Sequence, residues 1–212
     1  MRYENIIFDL DGVLVSTDEY HYQAWKKIAG EEGIYFDRVI NNRLRGVSRM
    51  ESLEIILEHA AKKYTPAEKE ALAQRKNDYY KELLGNLTAS DTLQGVRETL
   101  IDLRQKNVHI AVGSSSKNTM RILKQVGLEN AFDAIADGTE ITHSKPDPEV
   151  FLLAAQKLGA KPGNCLVVED ALAGVMAGVN AGMQVAGIGE AAKAAQAAYK
   201  LQEIRDLLKI AV

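Results

Sequence analysis

Asn5-Ile6-Ile7-Phe8-Asp9-Leu10-Asp11-Gly12 lies near the start of the chain as a short apolar run ending in two acids and a glycine. Such a run, closed by turn residues, reads as a parallel strand buried on both faces. Asp9 and Asp11 fall just past its carboxyl end. Side chains alternate in an extended segment, so the two carboxylates start on one side. Gly12 permits the sharp turn that lets them converge. Ionised carboxylates this close repel, which favours a bound cation or one raised pKa. A solvated Asp-Gly turn would carry the same residues, so these residues alone leave both readings open.

Further apolar runs lie at 108–113, 131–136, 165–168 and 184–188. Helical patterns separate them at 96–106, 116–126, 148–158 and 172–181. Asp147-Pro148 reads as an N-cap with proline at the first helical position. Gly127, Gly159 and Gly182 follow helical runs, where a left-handed C-cap is needed. Strand-helix alternation of this kind predicts an α/β fold, a parallel sheet with helices on both faces. Residues 16–87 break the alternation. Apolar positions Tyr20, Ala24, Trp25 and Ile28, then Leu53, Ile56, Leu57 and Ala60, have helical spacing. Thr65-Pro66-Ala67-Glu68 is a capping box with proline at N1, opening a third helix to about Leu84. The spacing predicts a core of residues 1–15 and 88–212 and an inserted helical domain over 16–87, joined by two neighbouring segments that can hinge. The alanine-rich stretch 191–198 reads as helical or loosely ordered, followed by an amphipathic helix over 201–210.

Three more clusters follow expected strands. Ser114, Ser115, Ser116 and Asn118 surround a helix start, where hydroxyls and N–H groups suit phosphate oxygens; serines also cap helices with no ligand. Lys145 sits on a loop stiffened by Pro146 and Pro148, where a fixed ammonium could balance phosphoryl charge or simply be solvated. Glu169-Asp170 offers adjacent acids that suit a hard cation such as Mg²⁺, unless Asp170 only caps a helix. All four clusters fall at carboxyl ends of core strands, where doubly wound sheets bind ligands. With strand order 3-2-1-4-5, Asp9, Asp11, Glu169 and Asp170 meet at the switch point.

Composition narrows the class. The chain has 212 residues, 46% hydrophobic and 26% charged, as in an ordinary soluble enzyme. A net charge of −3 argues against a nucleic-acid or anionic-membrane surface. The one cysteine, Cys165, allows no internal disulfide and reads as an inert core residue. No apolar run reaches the roughly 20 residues of a membrane span, and the N-terminus lacks a signal-peptide apolar region. The expected compartment is the cytoplasm.

Together the four clusters resemble, in order, the four motifs of the haloacid dehalogenase (HAD) superfamily across nearly the whole chain. The resemblance implies a Rossmann-like core with a helical cap inserted after the first strand. It also implies roles: Asp9 as nucleophile forming an aspartyl phosphate, Asp11 as general acid and base, and Ser114 and Lys145 as holders of the transferring phosphoryl group. Mg²⁺ would be held by the Asp9 carboxylate, the Asp11 backbone carbonyl, Glu169 and Asp170.

Arg43-Leu44-Arg45-Gly46-Val47-Ser48-Arg49 resembles the substrate loop of the β-phosphoglucomutase subfamily. Glu19-Tyr20-His21, Ser52 and Arg75-Lys76-Asn77 fit that subfamily's pattern as well. The likeness implies a substrate site of His21, Trp25, Arg45, Gly46, Val47, Ser48, Arg49, Ser52, Lys76, Ser115, Ser116 and Asn118. Arg49 and Asn118 would bind the phosphate that is not being transferred. Arg45 stands where lysine is common, Ser16 replaces an aspartate, and Ala171 stands where serine is common. His21 could link cap closure to Asp11 or be a packing residue. The resulting expectation is a monomeric isomerase that interconverts β-D-glucose 1-phosphate and glucose 6-phosphate, its partner a small sugar phosphate. A superfamily phosphatase is the first rival, and a non-catalytic sugar-phosphate sensor is the second.

Overall fold

The computed structural model describes residues 3–44 and 47–211, so Arg45 and Gly46 of the expected substrate loop lie outside the described residues. Six strands form one sheet: β1 (Asn5–Phe8), β2 (His109–Gly113), β3 (Ala134–Ala136), β4 (Cys165–Glu169), β5 (Gln184–Ile188) and β6 (Tyr199–Leu201). Their order is β3-β2-β1-β4-β5-β6, and every pairing is parallel. β1 is central. Phe8 is in register with Val112 on one side and Val168 on the other, so Asp9 emerges between the ends of β2 and β4.

Alternation along β1 divides the core. Ile6 and Phe8 pack with α5 (Val96–Gln105) and α6 (Thr119–Gln125) through Val96, Leu100, Leu103, Ile122 and Leu123. Ile7 packs on the opposite face with α7 (Glu149–Leu158) and α8 (Leu172–Asn180) through Val150, Phe151, Ala154 and Val175. This is the two-faced burial that the unbroken apolar strands require. Cys165 is fully buried on that second face, and burial pushes its thiol up to about 11. It is therefore inert as a nucleophile near neutral pH.

Between β1 and α5 lie four helices: α1 (Asp18–Glu31), α2 (Arg38–Asn42), α3 (Arg49–Leu57) and α4 (Pro66–Leu84). They build a hydrophobic cluster of their own, including Trp25, Ile28, Phe36, Leu53, Ile56 and Leu72. At their base, Ala24, Tyr80, Leu84 and Leu87 belong to the sheet's cluster instead. Two segments connect insert and sheet, and they touch: Val15 bridges Thr92, and the Leu93 N–H donates to Leu14 O at 3.0 Å. The expected capping box of α4 forms, and α3 has a second one that was not expected. The Thr65 hydroxyl accepts from the Glu68 N–H while Glu68 accepts from the Thr65 N–H, and Ser48 and Glu51 do the same for α3.

The C-terminal expectation needs correction. The stretch after β5 forms a 3-10 turn over Gly189–Lys193, and Tyr199–Leu201 is a sixth strand. The last helix begins as a 3-10 turn at Ile204 and continues as α9 (Leu208–Ala211). Leu201 therefore closes a strand rather than opening a helix. Pro148 also falls at the N-cap of α7 rather than its first turn, with the Glu149 N–H donating to Asp147 Oδ1 at 3.0 Å.

Candidate active site

The ends of β1, β2 and β4 open into a cleft of about 720 Å³ whose far wall is the helical insert. This lies within the range of roughly 300–1,000 Å³ usual for small-molecule sites. Every expected site residue among those described lines it, from Asp9, Ser114, Lys145 and Asp170 on the sheet side to His21, Val47, Arg49 and Lys76 on the insert side.

Asp9 follows β1 directly and is 8% exposed. Lys145, 2% exposed, donates to Asp9 Oδ1 at 2.5 Å and to Glu169 Oε1 at 2.6 Å. Burial penalises the ammonium, but the two carboxylates outweigh it and hold Lys145 above its ordinary pKa. Burial pushes the Glu169 carboxyl up, and Lys145 opposes this. Glu169 Oε2 accepts from the backbone N–H groups of Asp170 (2.9 Å) and Ala171 (3.1 Å), so both oxygens of Glu169 are engaged. Two glycines make room for these acids. A Cβ at Gly174 would collide with the Glu169 carboxylate, and one at Gly12, where φ is +82°, with that of Asp170.

Asp9, Glu169 and Asp170 each present a carboxylate oxygen within 4.8 Å of the others. An all-oxygen set of three acids fits a small hard cation such as Mg²⁺. The Asp11 carboxylate is not part of this set. It accepts from the Thr17 hydroxyl, which in turn accepts from Tyr80 Oη at 3.1 Å. Burial, against the Thr17 hydrogen bond and helped by the Asp9 charge, raises Asp11 to about 7. Asp11 is thus poised to hold a proton near neutral pH while Asp9 is held by an ammonium. This divergence is how adjacent acids take up different roles.

A polar chain runs from Asp11 into the insert. His21 Nε2 lies 4.0 Å from Asp11 Oδ2, and His21 Nδ1 is 2.8 Å from Lys76 Nζ. Burial, with Lys76 and Arg49 nearby, keeps His21 well below its ordinary value, so its neutral Nδ1 can accept from Lys76. Burial and Arg49 lower Lys76 to about 7, opposed by Asp11. The His21 ring also packs 4.1 Å from Tyr80, and Lys76 lies 5.0 Å over the Trp25 ring. His21 thus packs on Tyr80 and also lies between Asp11 and Lys76.

On the phosphate loop, Ser114 Oγ accepts from the Ser116 N–H (3.1 Å) and Ser116 Oγ from the Asn118 N–H (3.2 Å), which shapes the turn into α6. Ser115 Oγ is a buried side-chain atom without a hydrogen-bond partner among the described residues. An orphaned hydroxyl lining a cleft is the state expected of a ligand-binding group. Ser52, 4% exposed, lies one turn into α3 from Ser48. The Ser48 hydroxyl is taken up by the capping box with Glu51, which leaves it less free for a ligand than its loop position suggests.

Sequence reasoning left two residues out of the site. Asn77 Oδ1 accepts from Arg49 Nη2 at 2.8 Å and from Asn118 Nδ2 at 3.1 Å. Tyr80 holds Thr17. Both line the cleft with Ala73 and Lys76; Tyr80 is four residues from Lys76 and Asn77 four from Ala73, and Asn77 already stood in the Arg75-Lys76-Asn77 stretch, so these were the signals that could have found them.

Comparison with known proteins identifies the family. The family described as haloacid dehalogenase-like hydrolase matches residues 3–182. β-Phosphoglucomutase of Bacillus subtilis is 46% identical over 187 residues, covering 87% of this chain and 83% of that protein. A fructose-1-phosphate phosphatase of Escherichia coli is 31% identical over 86% of this chain and 94% of its own length. The crystal structure of β-phosphoglucomutase from Clostridium difficile superposes with a TM-score of 0.90 at 39% identity, covering 99% of this chain and 97% of that one. An acid pair after the central strand, a buried lysine between two carboxylates and this extent of match lead to one statement: the chain belongs to the haloacid dehalogenase-like hydrolases.

Proposed function

We propose that this protein is a magnesium-dependent β-phosphoglucomutase, interconverting β-D-glucose 1-phosphate and glucose 6-phosphate through β-glucose 1,6-bisphosphate. The observation that carries the reading is a cleft with two cationic ends. Lys145 stands beside Asp9 on the sheet, and Arg49 converges with the Asn118 amide beneath the insert. A phosphatase of a monophosphate needs the first end only. A bisphosphate needs both, and arginine offers the planar fork suited to the second.

In this mechanism Asp9 attacks the phosphorus of the bisphosphate, its carboxylate oxygen forming the new P–O bond as the sugar oxygen leaves. Asp11 gives that leaving oxygen its proton. A monophosphate then presents its free hydroxyl, Asp11 takes the hydroxyl proton, and the phosphoryl group passes from Asp9 to the sugar. Ser114 and Lys145 hold the moving phosphoryl oxygens, Arg49 and Asn118 the resident phosphate, with Ser115, Ser116, Ser52 and Val47 shaping the space between. A Mg²⁺ ion held by Asp9, Glu169, Asp170 and the Asp11 carbonyl would neutralise phosphoryl charge. Positioning and charge neutralisation supply most of the catalysis in such transfers.

The helices of residues 16–87 act as a cap whose closure excludes water from the aspartyl phosphate. Their separate hydrophobic cluster and paired connections support a body that can move against the sheet. One chain supplies the whole cleft, which supports a monomer. Among the described residues no helix is long and apolar enough to cross a membrane.

The second reading, a sugar-phosphate phosphatase, has the Escherichia coli relative in its favour. Incubation with β-glucose 1-phosphate, Mg²⁺ and a trace of bisphosphate separates the two. The mutase yields glucose 6-phosphate with little free phosphate. Free phosphate as the main product, without isomerisation, rejects it.

A further inference from the structure

Lys145 is presented from an irregular loop, residues 137–148, between β3 and α7. Its ammonium must still sit at a fixed place beside Asp9, since misplacing a group by about 1 Å can cost roughly a hundredfold in rate. Three contacts hold the loop at and beyond Lys145. The Asp147 N–H donates to Ser144 O at 3.1 Å and closes a turn around the lysine. Asn180 Nδ2, on α8, donates to Pro146 O at 3.1 Å. The fully buried Phe151 ring, on α7, lies 4.5 Å from Lys145 Nζ, in space that a Cβ at Gly113 would take.

The approach to Lys145 is held by one side chain. Glu149 is the first residue of α7. Its carboxylate accepts from two backbone N–H groups that precede the lysine, Oε1 from Thr142 at 3.0 Å and Oε2 from His143 at 2.7 Å. His143 Nδ1 lies 3.1 Å from the same Oε2. The two N–H groups hold the Glu149 carboxyl below its ordinary pKa, so it is ionised near neutral pH. Glu149 is itself fixed from below, its own N–H donating to Asp147 Oδ1 at 3.0 Å. An acid in the first turn of a helix is favoured by the helix dipole without further purpose. The dipole accounts for the charge but not for the direction, because this carboxylate reaches back onto the loop. Thr142, Ser144 and Lys145 line the cleft, whereas Glu149 is not among the described residues that do.

We propose that Glu149 is a positioning residue for phosphoryl transfer: by clamping the Thr142 and His143 amides it fixes the loop from which Lys145 reaches the phosphoryl group on Asp9. This rests on the reading of Lys145 as a holder of that group. A carboxylate suits the task because its two oxygens accept from neighbouring amides at once.

The test uses the full-length Mg²⁺-loaded enzyme with β-glucose 1-phosphate and a trace of bisphosphate. Glucose 6-phosphate and free phosphate are counted together, so failure of the mutase reading leaves the comparison intact. Glu149→Ala removes both acceptors and should lower kcat by about ten- to a hundredfold, with KM changed less than about threefold. Glu149→Gln keeps one acceptor oxygen and should recover most of that loss. Equal losses in the two would assign the effect to charge and overturn the clamp. A double-mutant cycle with Lys145→Met separates positioning from general support of the fold. If Glu149 acts through Lys145, adding Glu149→Ala to Lys145→Met should change kcat by no more than about twofold. Losses that multiply overturn the proposal. If Glu149→Ala does not fold, Glu149→Asp, one methylene too short to reach both amides, takes its place under the same criterion. Lys145→Met alone checks the premise. Unchanged kcat there removes Lys145 from the transfer, whereas lost kcat beside a fully active Glu149→Ala enzyme removes only the role of Glu149.

Discussion

Asp9 and Asp11 are chemically the same and one residue apart, yet the fold treats them oppositely. Asp9 is paired with an ammonium, while Asp11 meets hydroxyl, ring and burial. Asp11→Ala should keep the fold and slow phosphoryl transfer by about 10²–10⁴-fold, the usual worth of general acid–base catalysis. Near-normal turnover would remove Asp11 from that role. The same residue has a stability signature in the metal-free protein. Its folded pKa of about 7 lies above the ordinary 3.8, so the native state binds the proton more tightly than the unfolded chain. Its contribution is therefore lost progressively as pH rises from about 4 to about 7. Asp11→Asn should unfold at a higher temperature than wild type at pH 8, and the difference should shrink toward pH 4. A gap independent of pH would show that Asp11 is ionised throughout. Lys76 has the opposite sign: its pKa is depressed from 10.5 to about 7, so its contribution is lost as pH falls from about 10.5 to about 7.

At the scale of elements, the strand ends fix which side chains meet, and the first turn of α8 shows how narrow the fit is. Gly174 faces the Glu169 carboxylate with no space for a methyl group. Gly174→Ala should displace Glu169, loosen its hold on Lys145 and lower kcat by more than tenfold, roughly the effect of misplacing one electrostatic catalyst. Full activity in a folded Gly174→Ala protein would show that Lys145 is held well enough by Asp9 alone. The strands and their order were legible because each long strand carries an apolar run, and β1, β2 and β4 lead directly into polar residues that line the cleft. β6 was not legible. Tyr199–Leu201 has only three residues, its exposed middle lysine breaks the apolar run, and alanine-rich sequence precedes it. What makes it a strand is pairing with β5, a tertiary fact. In the site, the residues in sequence motifs were readable, Asn77 among them as part of Arg75-Lys76-Asn77, but the roles of Asn77 and Tyr80 depend on partners 28 to 63 positions away in the chain. Helix α4 alone gives them the look of ordinary amphipathic positions.

Across the whole molecule, two of the three hydrophobic clusters determine how the insert is attached to the sheet. The cluster among α1 to α4 keeps the insert intact, while Tyr80, Leu84 and Leu87 anchor its base in the sheet's core. The base, where Thr17 and Tyr80 approach Asp11, is thereby tied to the sheet, while Arg49, Asn77 and Asn118 meet elsewhere in the cleft. A cap hinged in this way can do two separable jobs, grip a resident phosphate and keep water from the aspartyl phosphate. On the proposed reading Arg49 belongs to the first job, beside Asn77 and Asn118. Arg49→Ala should therefore reduce isomerisation of β-glucose 1-phosphate far more than the slow hydrolysis of the phosphorylated enzyme. Truncating a buried, charge-assisted contact of this type costs about 2–5 kcal/mol, or roughly 30- to 5,000-fold in turnover. Both rates can be read from one sample, glucose 6-phosphate by a coupled assay and free phosphate from phosphoenzyme decay after substrate is removed. Equal losses in the two would mean that Arg49 only supports the insert, and the two-ended cleft would then no longer distinguish a mutase from a phosphatase.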